Sequence, residues 1–251
     1  MIKLISNEYK KRFVIDGYKK GAISYDYERL PWYGCLGEIE KEKISLYLKE
    51  NLILECGVGT GRHALYFGNN YTYVGIDLSH EMIKICKSNT KNMNKKTELI
   101  LCDAESLVFR KDIFDILICS KTFKFFTSPL KFLEEAKGSL KKGGRCLITF
   151  EVLDSFWFRF AKKLGLKVPK HEKHYFINDG IYLFRKAGFS HVEVEPVANL
   201  LLGIYLFLWY VTYNNPLRQI FYKQVSSFIK IIIKVDNILS SRFFVLFKGE
   251  A

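Results

Sequence analysis

The sequence predicts an α/β fold built on a doubly wound, mostly parallel sheet, and three observations point there. Between residues 51 and 151, apolar runs of strand length near 52–56, 72–77, 97–101, 113–119 and 145–151 alternate with helical patterns. Strands that alternate with helices stack into a parallel sheet with helices on both faces. The first run, Leu52 to Cys56, stops at Gly57, Gly59 and Gly61 and passes into a helical pattern from Arg62. Sixteen residues after Gly61 the second run ends in Asp77.

A glycine turn at the end of the first strand lets the backbone approach a ligand, because no Cβ stands in the way. An acid at the tip of the next strand is placed to accept hydrogen bonds from two ribose hydroxyls. Together they indicate a nucleoside cofactor. The dinucleotide fingerprint needs glycine or alanine at the next helical position, where a pyrophosphate meets the helix N-terminus, and Arg62 stands there instead. Glu55, directly before the loop, would repel a diphosphate and suits the ammonium and sulfonium charges of S-adenosylmethionine.

The stretch Glu55-Cys56-Gly57-Val58-Gly59-Thr60-Gly61-Arg62 resembles the first motif of class I S-adenosylmethionine-dependent methyltransferases, and the resemblance continues over residues 50 to 151. Gly75-Ile76-Asp77-Leu78-Ser79, followed by Met82, resembles the second motif, which implies that Asp77 takes the ribose and Leu78 packs on adenine. Cys102-Asp103-Ala104-Glu105 resembles the third, which implies that Asp103 accepts from the adenine amino group beside Ala104. Phe114 to Ser120 resembles the fourth strand, adding Ser120 to the cofactor residues, and Leu140 to Ile148 resembles the turn into the fifth. The resemblance implies a Rossmann-like seven-stranded sheet with an antiparallel last strand, S-adenosylmethionine as methyl donor and S-adenosylhomocysteine as product.

Around this core the chain divides into an N-terminal helical cap over 1–50, the core proper over 51–196 and 242–251, and a helical insertion over 197–241 before the last strand. In the cap, the Tyr25-Asp26 pair resembles an element that folds over the cofactor in this family. A helix over Leu183 to Ala187, a stop at Gly188 and a period-two run from His191 to Glu195 predict the sixth strand, and Phe243 to Lys248 the antiparallel closing strand. In the insertion, Leu200 to Tyr213 is apolar except for Gly203 and Thr212. A membrane-spanning helix needs about 20 such residues, so this stretch does not cross. A basic amphipathic helix follows from Leu217, suited to roofing a greasy acceptor pocket, to lying on a membrane surface or to a homodimer contact.

With 49% hydrophobic and 26% charged residues, the chain has the composition of a soluble globular domain with insertions. Its first eight residues hold no apolar core of signal-peptide length, so the expected compartment is the cytoplasm, with room for peripheral membrane contact. Six cysteines sit mostly in strand patterns without Cys-x-x-Cys spacing and read as reduced core thiols; no metal is expected. A net charge of +13 is compatible with nucleic acid, anionic lipid or an acidic substrate. The lysines between 84 and 96 continue a helix and read as a solvated face, whereas the six basic residues between 156 and 175 follow the fifth strand on the substrate side.

Methyl transfer from a sulfonium is an in-line displacement that needs alignment in a dry pocket, and a general base only when the nucleophile arrives protonated. His171, His174, Tyr175, Glu151 and Asp154 fall on the substrate side, and His174 is taken as the catalytic candidate because His174-Tyr175-Phe176 resembles a segment of quinone, small-molecule and lipid methyltransferases. Ser120-Lys121-Thr122-Phe123 stands where enzymes of exocyclic base amines carry an Asn/Asp-Pro-Pro-Tyr signature, which disfavours that class. The expected acceptor is therefore a small hydrophobic or amphiphilic molecule, as in ubiquinone and menaquinone biosynthesis. An RNA methyltransferase is the alternative, with nucleic acid ranked below a small molecule, and a non-catalytic S-adenosylmethionine-binding protein is a further one.

Overall fold

The computed structural model describes residues 2–22, 25–28, 37–48, 52–93, 97–153, 163, 173–198 and 244–251. They form one seven-stranded sheet with helices on both faces. In chain order the elements are α1 (Ile2–Gly21), α2 (Tyr25–Glu28), α3 (Gly37–Ser45), β1 (Leu52–Cys56), α4 (Arg62–Phe67), β2 (Thr72–Asp77), α5 (His80–Thr90) and β3 (Glu98–Leu101). There follow β4 (Phe114–Ser120), a 3-10 turn (Phe123–Phe125), α6 (Pro129–Ser139), β5 (Leu140–Glu151), α7 (Ile177–Lys186), β6 (Ser190–Ala198) and β7 (Phe244–Glu250). The expected insertion lies outside the described residues beyond Ala198, as do most of the basic run 156–175 and Cys35.

The strand order is β3-β2-β1-β4-β5-β7-β6, parallel from β3 through β5, with β7 antiparallel to both β5 and β6. The order reverses beside β1, and an open α/β sheet forms its ligand crevice beyond the strand ends at such a point. The glycine loop after β1 therefore opens into that crevice. The expected strands appear within a residue or two of their places, except that β6 runs on to Ala198 and β5 begins early. That strand starts at Leu140 rather than 145, because the pairing shifts from Phe114 opposite Leu140 to Ile116 opposite Arg145. The extra residues bulge out at Gly143, φ 78°, so the expected turn is an irregular start to the strand itself.

Central strands buried on both faces read as continuous apolar runs, and each contributes alternate side chains to two cores. Ile53, Ile116, Ile118, Leu147 and Leu246 meet Ile39 and Ile44 of α3, Ala64 and Phe67 of α4 and Cys86 of α5. On the other face Leu54, Leu117, Ile148, Phe150 and Phe247 meet Phe132 and Leu133 of α6 and Phe184 of α7. In this second core the Phe247 ring stacks on Phe150 at 4.8 Å and on Phe184 at 5.9 Å. Gly180 of α7 lies flat against the same ring, where a Cβ would come within 2.5 Å.

Among the described residues, Cys56, Cys86, Cys102, Cys119 and Cys146 are free and buried. No three His, Cys, Asp or Glu side chains converge as metal ligands there, and no described helix is long and apolar enough to cross a membrane. Because Phe247 is fully buried and joins β5, β7 and α7, Phe247→Ala should cost about 3–5 kcal/mol of unfolding free energy in a urea titration. A loss under about 1 kcal/mol would mean that the closing strand is not a core element.

Candidate functional site

The loop after β1 is fixed before any ligand arrives. Gly57, Gly59 and Gly61 all adopt positive φ, 81°, 55° and 89°, a region that side chains avoid. Their reasons for being glycine differ. A Cβ on Gly57 would strike the Thr122 side chain, and one on Gly61 would come within 2.6 Å of Cys86 Sγ, whereas nothing lies within 4 Å of the Cβ position of Gly59. Among these three, open space at the Cβ position therefore exists only at Gly59. The other two make room for the protein's own side chains.

Asp77 clips this loop to β2. Its Oδ2 accepts from Gly59 N–H at 2.9 Å and its Oδ1 from Ser79 N–H at 2.8 Å. Burial raises its carboxyl above the ordinary value despite these donors. Ser79 in turn caps α5 by accepting from Met82 N–H at 3.3 Å, and Thr60 donates to Asp26 Oδ1 at 2.7 Å, tying the loop to the cap.

Beyond the loop opens a cleft of about 1080 Å³, the open solvent at its mouth included. At one end Leu78, Met82, Asp103 and Ala104 line it under α1. Lys11 of α1 reaches across to Asp103 Oδ2 at 2.5 Å and Glu105 Oε2 at 2.7 Å. Burial works against its ammonium, but hydrogen bonds to these two acids outweigh it and raise the Lys11 pKa. Asp103 Oδ1 also accepts from Glu105 N–H at 2.9 Å, so both its oxygens already have a donor.

At the β4 end the cleft backs onto a buried polar network centred on Glu40 of α3, which is fully buried. Glu40 accepts from Ser120 Oγ at 2.6 Å, from Thr149 Oγ1 and from Arg62 Nη2 at 2.8 Å, with Lys121 Nζ 3.5 Å away. Burial alone would raise the Glu40 carboxyl, but Lys121, Arg62, His63 and the Ser120 hydroxyl hold it well below the usual carboxylate range. The network continues through His63, whose Nε2 lies 4.0 Å from Glu40 and whose Nδ1 lies 2.8 Å from Glu55 Oε1. Tyr73 donates to the other Glu55 oxygen at 2.8 Å.

Of the residues expected from sequence, Glu55, Gly57, Gly59, Asp77, Leu78, Asp103, Ala104 and Ser120 border the cleft, and Gly61 and His174 do not. Glu55 is 2% exposed, with one oxygen 2.8 Å from His63 Nδ1 and the other accepting from Tyr73. His174 sits beside the bridge between Val152 and Tyr175, near Glu151. Tyr175 packs among Phe123 and Phe150, and Glu151 lies 3.6 Å from Lys124. His171 and Asp154 lie outside the described residues. Lys11, Glu40 and Lys121 were not anticipated. Glu40 carries the one signal that was there to read, sharing a helix face with Gly37 and Ile44 at spacings of three and four.

The fold and the loop define a Rossmann-like protein with a nucleoside cleft at its strand switch. Comparison with known proteins narrows this. Residues 54–148 match the methyltransferase-domain family. A Methanocaldococcus jannaschii protein of uncharacterized function is 30% identical over 181 residues, 70% of this chain and 82% of its own. The spinach chloroplast 2-methyl-6-phytyl-1,4-hydroquinone methyltransferase is 26% identical over 72% of this chain, which spans 52% of that relative's length. An S-adenosylmethionine-dependent methyltransferase of Thermotoga maritima superposes with a TM-score of 0.65 at 22% identity, covering 94% of this chain and 98% of that one. The chain belongs to the class I S-adenosylmethionine-dependent methyltransferases, and S-adenosylmethionine is its methyl donor.

Glu40→Ala should cost about 3–5 kcal/mol in denaturant unfolding, since it strands Arg62 and Lys121 without their carboxylate. Because the folded pKa of Glu40 is depressed, its contribution is fully present above its ordinary value of 4.5 and is lost as pH falls below that. The native protein should therefore lose stability on acidification through this window more steeply than Glu40→Gln does. Gly57→Ala should also destabilise more than Gly59→Ala, which meets only the left-handed penalty of about 1–2 kcal/mol. Equal thermal shifts for the two would remove the distinction between the glycines.

Proposed function

We propose that the cleft presents the methyl donor to a small hydrophobic or amphiphilic acceptor of quinone or lipid type. One observation carries this reading: beyond the glycine loop the cleft wall is apolar and aromatic. Val14, Ile15 and Tyr18 of α1, Tyr25 of α2, and Phe125 and Phe126 after β4 line it. Tyr18 packs on Tyr25 at 5.6 Å and edge-on to Phe125 at 5.8 Å, so the cap and the β4 loop share one aromatic surface. The plant relative named for a hydroquinone acceptor supports the same class, with the match confined to about half of its length.

The residues present fit the donor. The space over Gly59 would be filled by any Cβ, and the carboxylates of Asp77 and Asp103 border the cleft where hydroxyl and amino donors can meet them. In this reading Asp77 takes the ribose, Leu78 and Ala104 flank the adenine, Asp103 receives its amino group, and the 55–61 loop and Ser120 border the methionyl part. When bound, the donor supplies an electrophilic methyl on a sulfonium. The chain's own part is to orient, exclude water through the aromatic wall, and hold charges fixed. The role of 197–241 as an acceptor-side lid, with contact to a membrane surface or a second subunit, rests on that segment's sequence.

Asp77→Ala should weaken S-adenosylhomocysteine binding by about 2 kcal/mol or more in calorimetry, because it removes the acceptor of the ribose hydroxyls. NAD and ATP should bind far more weakly to the native protein. Supplied with labelled S-adenosylmethionine, the protein should methylate a prenylated hydroquinone in preference to transfer RNA. Incorporation into RNA with a steep salt dependence would replace the small-molecule reading with an RNA one.

A further inference from the structure

α1 is apolar on two opposite faces. A helix lying on a protein surface turns one apolar stripe inward and a polar face outward. Val14, Ile15 and Tyr18 form the inward stripe and line the cleft beside Lys11. On the other side of the helix Tyr9 and Phe13, one turn apart, are 70% and 50% exposed. Exposed apolar residues scattered singly are ordinary, whereas two rings on the outer face of a helix that already packs its inner one form a ridge.

Cations flank this ridge. At about 3.6 residues per turn Lys10 falls on one side of it and Arg12 and Lys19 on the other, and all three are exposed. Two acids share the surface: Asp16, and Glu8, which pairs with Arg12 at 3.3 Å. The basic surface continues past the helix. Burial lowers the Lys173 pKa and the nearby charge of Lys10 lowers it further, with Glu105 opposing. Lys173 is held to the loop after β4, its Nζ donating to Thr127 O and its N–H to Lys124 O, both at 2.7 Å. The same loop carries Phe125 and Phe126 of the cleft wall, so this surface adjoins the cleft. Rings that enter the boundary between headgroups and acyl chains, with basic groups beside them at the level of the phosphates, match an anionic lipid surface. A net charge of +13 draws the whole chain towards such a surface.

We propose that the outer face of α1 docks on an anionic lipid surface, with Tyr9 and Phe13 entering the interface and Lys10, Arg12 and Lys19 meeting the phosphates. Docking goes beyond the methyl-transfer reading and does not require it. Joined to that reading, it brings the cleft to the bilayer, where an acceptor of quinone or lipid type is found, and makes α1 both the wall of the cleft and the contact with the membrane.

The test uses the full chain and sucrose-loaded vesicles of phosphatidylcholine, with or without about 30% phosphatidylglycerol. The native protein should sediment with the anionic vesicles about tenfold more strongly than with the neutral ones. Tyr9→Ser combined with Phe13→Ser should lower that partitioning about tenfold, while S-adenosylhomocysteine affinity stays within about twofold and the thermal midpoint within a few degrees, because both rings are exposed. Lys10→Glu combined with Lys19→Glu keeps the rings and should lower partitioning to the anionic vesicles alone. A native protein that ignores both kinds of vesicle, or partitioning that survives the ring substitutions, overturns the proposal. So does a loss of self-association or of transfer RNA binding in the serine variant in place of a loss of vesicle binding, which would assign the face to a second copy of the chain or to nucleic acid. A native protein that fails to bind S-adenosylhomocysteine overturns the methyl-transfer reading, and the vesicle result stands apart from it.

Discussion

The carboxylate of Glu40 is the point on which the site's architecture turns. It comes from α3 in the cap and reaches hydroxyls on β4 and β5 and the guanidinium at the start of α4. A charge with no exposure is tolerable only when its lone pairs are filled, and here four side chains surround it. The same contacts set the positions of Ser120, Lys121 and Arg62 relative to the glycine loop. Such contacts fix the direction of polar groups where the cap meets the sheet, which apolar packing by itself does not.

From Glu40 the constraint passes to the loop in two ways. His63 links it to Glu55 and Tyr73, so the strand is anchored two residues before the first glycine. Above, Thr122 fills the space that glycine at 57 leaves, and Asp77 takes the Gly59 N–H. A loop with three left-handed residues would otherwise sample many conformations, and ordering it on binding would weaken a ligand. Here that ordering belongs to folding rather than to binding.

Much of this was legible in the sequence, and the reason is periodicity. Strands buried on both faces leave unbroken apolar runs, and glycines at positive φ leave a spacing that few other structures need. The loop and Asp77 followed from those runs, and Asp103 from the resemblance of Cys102 to Glu105 to a family motif. What was not legible depended on contacts between distant residues. Glu40 stands among Glu38, Lys41 and Glu42 in a stretch the sequence marks only as part of a helical cap, and only its place on the face of Gly37 and Ile44 sets it apart. Lys121 was visible only as part of a tetrapeptide lacking a known signature, since neither its backbone angle nor its neighbour Glu40, eighty-one residues earlier, can be read locally. Gly57 and Gly61 show the converse: the residue type was anticipated, but the neighbours that demand it, Thr122 and Cys86, were not.

The cap is attached at two ends by interactions of different strength, and magnitudes decide which governs. At α3 the ion pair of Arg62 with Glu40 involves an acid with no exposure, where removal of a partner costs several kcal/mol. At α1 Lys11 meets Asp103 with side chains 26% and 30% exposed, where solvent screening leaves about 0–1 kcal/mol for a pair. Its second partner, Glu105, is nearly buried and is already satisfied by Thr127 and the Ser128 N–H, so it keeps its place without Lys11. α1 is thus the weaker attachment, and it covers the end of the cleft where Asp103 and Ala104 lie. That end of the cleft is therefore closed by a modest contact, while the β4 end is held through the buried carboxylate of Glu40.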